Sequence, residues 1–291
     1  MKRTIAMVLM LAAISAGCAE SGPQALGSAP GSESPTPSAS PTPSASTASP
    51  SPSPTRMMTY ELWFNDDESL FVTHRTEPFT PAVAARAVDA LLDGPTGAER
   101  GAGLDSSIDP GTHLLAVGIS DGVATVSFDQ AFTSEETPAI AVGSLSQVVF
   151  TLTQFDSIDA VLFQVEGDPL TNFGGYELDG AQRRADFADQ LPWILVESPG
   201  IGERVSSPVT IAGTANVFEA VVSILILDQD GNTLASTFTM ATCGTGCRGT
   251  YTTDVRYEVG TRQPGTIRVY EVSAMDGSAI HVVEIPVILT P

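Results

Sequence analysis

Residues 19–56 consist almost entirely of Ser, Pro, Ala, Thr and Gly, and this stretch decides where a folded core can lie. Proline recurs there at nearly regular intervals, and such a composition has too few apolar side chains to form a core. We therefore predict a disordered tether over residues 19–56, which at ~3.1 Å per residue reaches up to roughly 100 Å. About 235 of the 291 residues remain, enough for one large or two ordinary domains.

The residues before the tether have the pattern of an export signal. Lys2-Arg3 precedes an apolar run, Ile5–Ile14, that is too short to cross the ~30 Å hydrocarbon core of a bilayer. The run ends in Ser15-Ala16-Gly17-Cys18, which resembles a bacterial lipobox. This resemblance implies a lipoprotein signal peptide over residues 1–18 and a cysteine that carries fatty-acyl chains such as palmitate as a membrane anchor.

The residue at position 15 leaves open a second possible site of signal-peptide cleavage. A lipobox usually has Leu three residues before its cysteine, whereas this chain has Ser15. Ordinary cleavage after Ala19 would remove Cys18 together with the signal peptide and leave no lipid anchor. In both alternatives the rest of the chain works on the extracytoplasmic side of the cell membrane.

Charge and motif content argue against nucleic-acid binding and catalysis. The formal net charge is −21 and no basic cluster is present, so a phosphate backbone would be repelled. The three histidines, His74, His113 and His281, lie singly on predicted strands, without a His-Glu-x-x-His, Gly-x-Ser-x-Gly or Walker sequence. The pairs Asp66-Asp67 and Glu135-Glu136 are more typical of solvated loops than of acid-base catalysis. We expect no enzyme activity, no cofactor and no metal.

Two further cysteines, Cys243 and Cys247, flank the short sequence Gly-Thr-Gly. An exported chain can form disulfides, and the glycines allow the tight turn that brings the two α-carbons within ~7 Å. We predict a local disulfide clip that contributes on the order of 2 kcal/mol. A metal or redox pair is the alternative, although no neighbouring His or further Cys supports it.

The segment 57–185 alternates strand and helix patterns, which predicts an α+β domain with two helices covering one face of a sheet. In the second helix, apolar residues at positions 142, 145, 149 and 152 recur with helical spacing and predict a single apolar face. The predicted helices are Ala82–Leu92, begun by Thr80-Pro81, and Pro138–Gln154. The predicted strands are Met58–Phe64, Ser69–His74, His113–Ile119, Val123–Phe128 and Ala160–Val165.

The segment 192–291 consists of β-branched runs of eight to twelve residues separated by Gly, Asp and Pro, a rhythm typical of a β-sandwich. Residues 172–191 form the predicted connection between the two domains. Asp228-Gln229-Asp230-Gly231-Asn232 offers carboxylates for calcium, but no Glu follows at the required distance, so a hairpin turn is favoured. The predicted strands are Trp193–Val196, Val209–Ala215, Ala220–Asp228, Leu234–Ala241, Gly249–Tyr257, Gly265–Ala274 and His281–Leu289.

Several motifs of the first segment resemble the GerM-type (GerMN) domain of sporulation and germination proteins. They are Ala90-Leu91-Leu92-Asp93-Gly94-Pro95-Thr96, Gly103-Leu104, Pro110-Gly111-Thr112, Asp121-Gly122-Val123-Ala124-Thr125-Val126 and Val149-Phe150-Thr151-Leu152-Thr153-Gln154-Phe155. The resemblance implies an envelope domain related to ring-building modules, which assemble with copies of themselves or with other partners. It carries no catalytic residue over to this chain.

The second segment resembles the Gmad-type immunoglobulin-like domain of bacterial spore germination. The resemblance rests on Ser198-Pro199, Val205-Ser206-Ser207-Pro208, the stretch from Gly213 to Ala220, Arg248-Gly249, Glu271-Val272-Ser273-Ala274 and Ile285-Pro286-Val287. Phe218-Glu219-Ala220 is its most telling part. We expect Phe218 to be a core or inter-strand plug and Glu219 to form an ion pair with Arg248, and we take these three residues as interaction candidates.

Together these features predict a non-enzymatic, lipid-anchored envelope protein that presents two protein-interaction modules, in sporulation, germination or envelope maintenance. Its expected partners are the membrane, through the anchor, envelope or cell-wall proteins, and copies of itself. The alternative is an extracellular lipoprotein that binds a glycan or a small molecule, for which exposed aromatic side chains would be needed. Trp63 and Trp193 each begin an apparent strand, and we expect both to be structural.

The lipobox interpretation predicts the outcome of replacing Cys18 with Ala. Because the acylated cysteine is both the anchor and the cleavage point, the variant should lose fatty-acid labelling and accumulate as the uncleaved precursor. Metabolic labelling and the mass of the exported chain measure both effects. An unlabelled mature protein of unchanged size in both wild type and variant would instead identify ordinary cleavage after Ala19.

Overall fold

The computed structural model describes residues 55–67, 69–134 and 137–291. The predicted signal peptide, Cys18, nearly all of the tether and Glu135-Glu136 lie outside these residues. The described residues belong to one compact unit, Ser53–Pro291. Within the described ranges, no helix combines the length and the apolar character that crossing a membrane requires.

The first domain mixes strands and helices. Its helices are α1 (Val83–Leu92), α2 (Gly97–Gly101) and α3 (Pro138–Leu152). Its strands are β1 (Met57–Asp66), β2 (Ser69–Pro78), β3 (Leu104–Asp105), β4 (Leu114–Ser120), β5 (Val123–Phe128), β6 (Ala160–Val165), β7 (Asp168–Pro169), β8 (Asn172–Phe173) and β9 (Tyr176–Glu177). They form a sheet of order β2-β1-β3, a sheet of order β4-β5-β6-β7 and the pair β8-β9. The predicted α+β class is confirmed.

Helix α3 is buried on nearly every side, so the prediction of a single apolar face was wrong. Ala141 and all residues from Gly143 to Leu152 are buried, whereas Val142, which belonged to the predicted face, is only half-buried. The reason is that α3 contacts strands of both sheets as well as α1. A helix that is covered all round does not keep a polar face.

The polar side chains buried along α3 complete the open edge of β1. The Trp63 N–H donates to Thr151 Oγ1 at 3.2 Å, and Gln147 Nε2 donates to the Trp63 carbonyl at 3.0 Å. One turn further on, Gln154 accepts from the Glu61 N–H at 2.6 Å and donates to the Glu61 carbonyl at 2.8 Å. The helix thus supplies the hydrogen bonds that a neighbouring strand would otherwise provide.

The start of α1 differs from its prediction. The helix begins at Val83, and Ala82 occupies the N-cap position without a side-chain hydrogen bond. Thr80 Oγ1 instead accepts from the Ala82 N–H at 3.3 Å in the turn before the helix. Thr80-Pro81 therefore orders the approach to α1 rather than capping it.

The second domain is a sandwich of two sheets, as predicted. Its strands are β10 (Ile194–Ser198), β11 (Arg204–Ser206), β12 (Val209–Ala215), β13 (Val221–Leu227), β14 (Thr233–Met240), β15 (Gly249–Val255), β16 (Gln263–Val272) and β17 (Ala279–Thr290). One sheet has the order β10-β12-β15 and the other β11-β17-β16-β13-β14. The sequence did not predict β11, which has three residues and runs parallel to β17.

Replacing Gln147 with Leu tests whether α3 supplies the hydrogen-bond partners that the open edge of β1 lacks. The change keeps the side chain's approximate size but leaves the Trp63 carbonyl and the Ser107 N–H, which donates to Gln147 Oε1 at 2.9 Å, without these partners. We expect the free energy of unfolding to fall by about 2 kcal/mol or more, measured by urea denaturation. Thr171→Val, at an exposed threonine, is the control and should stay within about 0.5 kcal/mol of wild type. Equal effects of the two changes would contradict this role of α3.

Candidate interaction site

Three aromatic side chains lie exposed at one end of the sandwich, and we call this surface the aromatic corner. It comprises Trp193, which is 55% exposed, Phe218, which is 49% exposed, and His281. The Trp193 and His281 rings stack with their centroids 5.0 Å apart. The Asn216 N–H donates to the Trp193 carbonyl at 2.8 Å, which ties the loop containing Phe218 to the strand start containing Trp193.

A buried glutamate holds the aromatic corner together. Glu271, at the end of β16, is only 7% exposed. Its Oε1 accepts from the Phe218 N–H at 3.0 Å, and its Oε2 lies 2.8 Å from His281 Nδ1. A carboxylate in a sandwich interior is costly unless its oxygens have hydrogen-bond partners, and here both have them. Glu271 therefore holds the His281 ring and the backbone of Phe218.

The disulfide loop packs against the loop that contains Phe218. The structure places Cys243 and Cys247 at disulfide distance, with their α-carbons 5.8 Å apart. The Thr245 N–H donates to the Val217 carbonyl at 3.0 Å, and Thr245 Oγ1 accepts from the Glu219 N–H at 3.3 Å. Gly244 lies so close to the Ala220 backbone that a β-carbon would collide with it. The cross-linked loop thus restrains the backbone beneath the aromatic corner.

Left-handed backbone is concentrated in the same place. Among the described non-glycine residues, seven have positive φ, and three of these, Asp67, Asp121 and Glu166, lie in hairpin turns. The other four all border the aromatic corner: Glu219 at 54°, Ala220 at 60°, Thr245 at 47° and His281 at 51°. Such residues cost of order 1–3 kcal/mol each and cluster at functional sites. Four of the seven left-handed non-glycine residues among the described residues thus lie in or beside the aromatic corner.

The structure corrects the roles predicted for the interaction candidates. Phe218 is not a core plug, because Val217 and Ala220 occupy the buried positions of that loop. The predicted ion pair between Glu219 and Arg248 does not form among the described residues. Arg248 instead donates to the Pro192 carbonyl and to Thr214 Oγ1, the latter at 3.2 Å. It therefore secures the start of the domain immediately before Trp193.

The two tryptophans have opposite environments. Trp63 is 2% exposed and belongs to the core of the first domain, as predicted. Trp193 was predicted to be structural, but its ring is exposed in the aromatic corner. Trp193 directly precedes β10, whereas Trp63 lies in the interior of β1 and not at the start of a strand, as its sequence position was interpreted.

Asp228 organises a turn between β13 and β14. Its Oδ1 accepts from the Asp230 N–H at 2.9 Å and from the Asn232 N–H at 2.8 Å. Hydrogen bonds from the Asn232 side chain and backbone lower the pKa of Asp228. In the described part of the chain, no three His, Cys, Asp or Glu side chains are arranged to hold a metal ion.

Arg184 fastens the connection between the domains to the first of them. Its Nε donates to Thr153 Oγ1 at 2.8 Å and its Nη2 to the Phe150 carbonyl at 2.9 Å. The guanidinium lies over the Phe150 and Trp63 rings, 4.8 and 5.3 Å from their centroids. Its nearest acidic oxygen is Glu61 Oε2, at 3.9 Å from Nη2. Burial lowers the pKa of Arg184, while the negative charges of Glu61 and Glu197 oppose that shift.

Glu197 lies in the electrostatic field of charged groups from both domains. It lies on β10 of the second domain, where burial and the negative charge of Glu61 raise its pKa. The positive charges of Arg184 and Arg248 act in the opposite direction.

Comparison with known proteins identifies both domains. A family model described as "Sporulation and spore germination" matches residues 61–171, and one described as "Immunoglobulin-like domain of bacterial spore germination" matches residues 193–278. These matches lie inside the predicted domains 57–185 and 192–291 and confirm both resemblances. A search of curated proteins found no match.

Two solved structures from Bacillus subtilis are similar to parts of the chain. The tandem GerMN domains of the sporulation protein GerM are 17% identical, with a TM-score of 0.40, over 80% of this chain and 60% of that one. The first GerMN domain of the same protein is 25% identical, with a TM-score of 0.37, over 44% of this chain and 99% of that one. This chain thus spans less than two thirds of the tandem structure.

Replacing Glu271 with Leu tests its role in the aromatic corner. The change removes both acceptors, so we expect the free energy of unfolding to fall by about 1–3 kcal/mol and quenching of Trp193 fluorescence by acrylamide to increase. Glu284→Gln is the matched control, because Glu284 is an exposed glutamate paired with Arg268 at 2.6 Å and should contribute at most about 0.5 kcal/mol. Unchanged stability and quenching in the Leu variant would show that Glu271 does not organise the surface.

Proposed function

We propose, from the premise that this chain carries a sporulation and spore germination domain followed by an immunoglobulin-like domain of bacterial spore germination, that it is a non-enzymatic docking protein of the cell envelope. In this proposal Cys18 carries the lipid anchor on the extracytoplasmic face of the membrane. The two domains act as interaction modules in sporulation, germination or envelope maintenance. No bond-making step is assigned to the chain.

The observation that carries this proposal is the aromatic corner. Binding hot spots are enriched in large aromatic side chains held in rigid surroundings. Here Trp193 and Phe218 are exposed, while the buried Glu271 and the disulfide loop hold the backbone around them. Because little order has to be gained on binding, such a surface favours contact with a protein partner.

The proposed tether explains how weak contacts become effective. A lipid anchor confines the folded domains to a layer next to the membrane, and the tether sets the depth of that layer. The effective concentration of the aromatic corner towards neighbouring envelope proteins is therefore high. Docking then depends on the reach of the tether as well as on the surface itself.

Binding of a cell-wall glycan is a second candidate function, and the exposure of Trp193 favours it. Sugar rings pack their C–H faces on exposed aromatic rings, and Trp193 is the one tryptophan among the described residues that solvent reaches. One face of that ring already stacks on His281. The arrangement therefore leaves less aromatic surface for a sugar than for a protein partner.

Site-specific photo-crosslinking in intact cells tests the proposed docking. A photoreactive residue at position 218 or 193 should capture the same envelope protein, and the Glu271→Leu change should abolish that capture. Position 79 is the matched control, because Phe79 is 44% exposed but lies in the first domain. Equal capture at all three positions, or none at 218 and 193, would contradict docking through the aromatic corner.

A peptidoglycan-binding experiment with the full chain distinguishes glycan binding from docking to a protein. Co-sedimentation of the full chain with purified peptidoglycan should be weak and unchanged by Trp193→Ala if proteins are the partners. Strong co-sedimentation that is lost in Trp193→Ala would replace the docking proposal with glycan binding.

A further inference from the structure

We propose that β14 is an interface between two copies of this chain, which pair edge to edge through this strand of the immunoglobulin-like domain. The strand is eight residues long and pairs on one side with β13 from Val221 to Leu227. On its other side, no strand or side chain of the described residues forms hydrogen bonds with it, and β15 approaches only its end, where the Thr242 N–H just beyond the strand donates to the Thr250 carbonyl at 2.9 Å. A row of backbone donors and acceptors is therefore available for pairing.

Other edge strands of the chain carry the features that prevent pairing. The edge strand β2 contains Arg75 and Glu77 and ends at Pro78. At the opposite edge of the sheet that contains β14, β11 has only three residues and begins with Arg204. The edge strand β15 carries Asp254. Charges, proline and shortness all discourage edge-to-edge contact, and β14 has none of these protections.

The edge strand β4 also lacks charge, but its apolar side chains are less exposed than those of β14. On β4, Leu115 and Ile119 are 51% and 47% exposed, and α1 contacts this strand. On β14, Phe238 and Met240 are 65% and 62% exposed. Of these two unprotected edges, β14 therefore gains more from pairing.

The exposed side chains of β14 continue into an apolar sheet face. Met240 lies opposite Val221 on β13, and Phe238 lies opposite Ser223, whose other neighbour is Tyr270 on β16. The next row of residues aligned across these strands contains Leu225. It ends in an ion pair between Arg268 and Glu284, whose charged atoms are 2.6 Å apart. The apolar surface is thus richest at the free edge.

The charge pattern makes β14 the place where a second copy of the acidic chain can approach. Two chains that each carry a formal net charge of −21 repel each other wherever their carboxylates meet. Residues 231–247 form seventeen consecutive positions without a charged side chain, and β14 lies entirely within them. Pairing through β14 brings the copies together without placing one carboxylate opposite another.

Two-fold symmetry fixes the register of the pairing. With the axis perpendicular to the sheet and beside Phe238, the strands run antiparallel and opposed residues share a face. Phe238 then lies opposite Phe238 of the second copy, and Ser236 lies opposite its Met240. The two five-stranded sheets become one ten-stranded sheet. This contact is distinct from the self-assembly through the first domain that the GerM-type resemblance implies.

Disulfide cross-linking of the full chain in cells tests both the contact and its register. Under mild oxidation, Phe238→Cys should give a cross-linked dimer on a non-reducing gel, because the two sulfurs face each other across the axis. Co-expressed Ser236→Cys and Met240→Cys chains should cross-link to each other more than to themselves. Leu115→Cys, at a half-exposed position on β4, is the control and should give no dimer.

Three outcomes would overturn the proposal: no dimer with Phe238→Cys, equal dimer with Leu115→Cys, or no preference for the mixed Ser236 and Met240 pair. All the substituted side chains are exposed, so the variants are expected to fold. Phe238→Glu provides an independent readout, because it places two carboxylates opposite each other and should lower the average mass in light scattering below that of wild type at the same concentration. An average mass equal to that of wild type at every concentration would also contradict the pairing.

Discussion

The structure depends on how the hydrogen-bonding groups of its strand edges and loops are satisfied. Backbone N–H and C=O groups that leave water need partners, and a sheet of few strands has edges where the ladder offers none. In the first domain, Gln147 and Thr151 of α3, together with Gln154 just beyond its end, provide those partners for β1. In the second domain, Glu271 provides one for the Phe218 N–H. The free edge of β14 has no such partner among the described residues.

The need for hydrogen-bond partners also determines how buried polar residues shape the exposed surface. A side chain that hydrogen-bonds backbone has one required position, so Glu271 fixes its loop and the exposed rings beside it. The disulfide loop and four left-handed residues lie around the same loop. The left-handed conformations of these non-glycine residues cost free energy, which the surrounding contacts must offset. The same reasoning applies to Arg248, which restrains the start of the second domain by donating to the Pro192 carbonyl.

Regular strands were predictable from the sequence, and burial in loops was not. Ala160–Val165 and Val209–Ala215 have the predicted bounds, because alternating apolar residues and neighbouring turns define them. The environment of α3 was missed because a second sheet covers the side that an amphipathic helix exposes. Phe218 was misassigned because left-handed backbone at Glu219 and Ala220 decides which side chain of the loop turns inward. Nothing in the local sequence indicated that Arg248 would bind Pro192 and Thr214.

Hydrogen exchange of individual amides in the full chain tests this account most directly. The amides of Trp63 and Phe218 should exchange slowly at every protein concentration, because side chains of the same molecule bind them. The outward-facing amides of β14 should exchange rapidly in dilute solution and slowly in concentrated solution. Rapid exchange of Phe218 at all concentrations, or protection of β14 that does not change on dilution, would contradict the account.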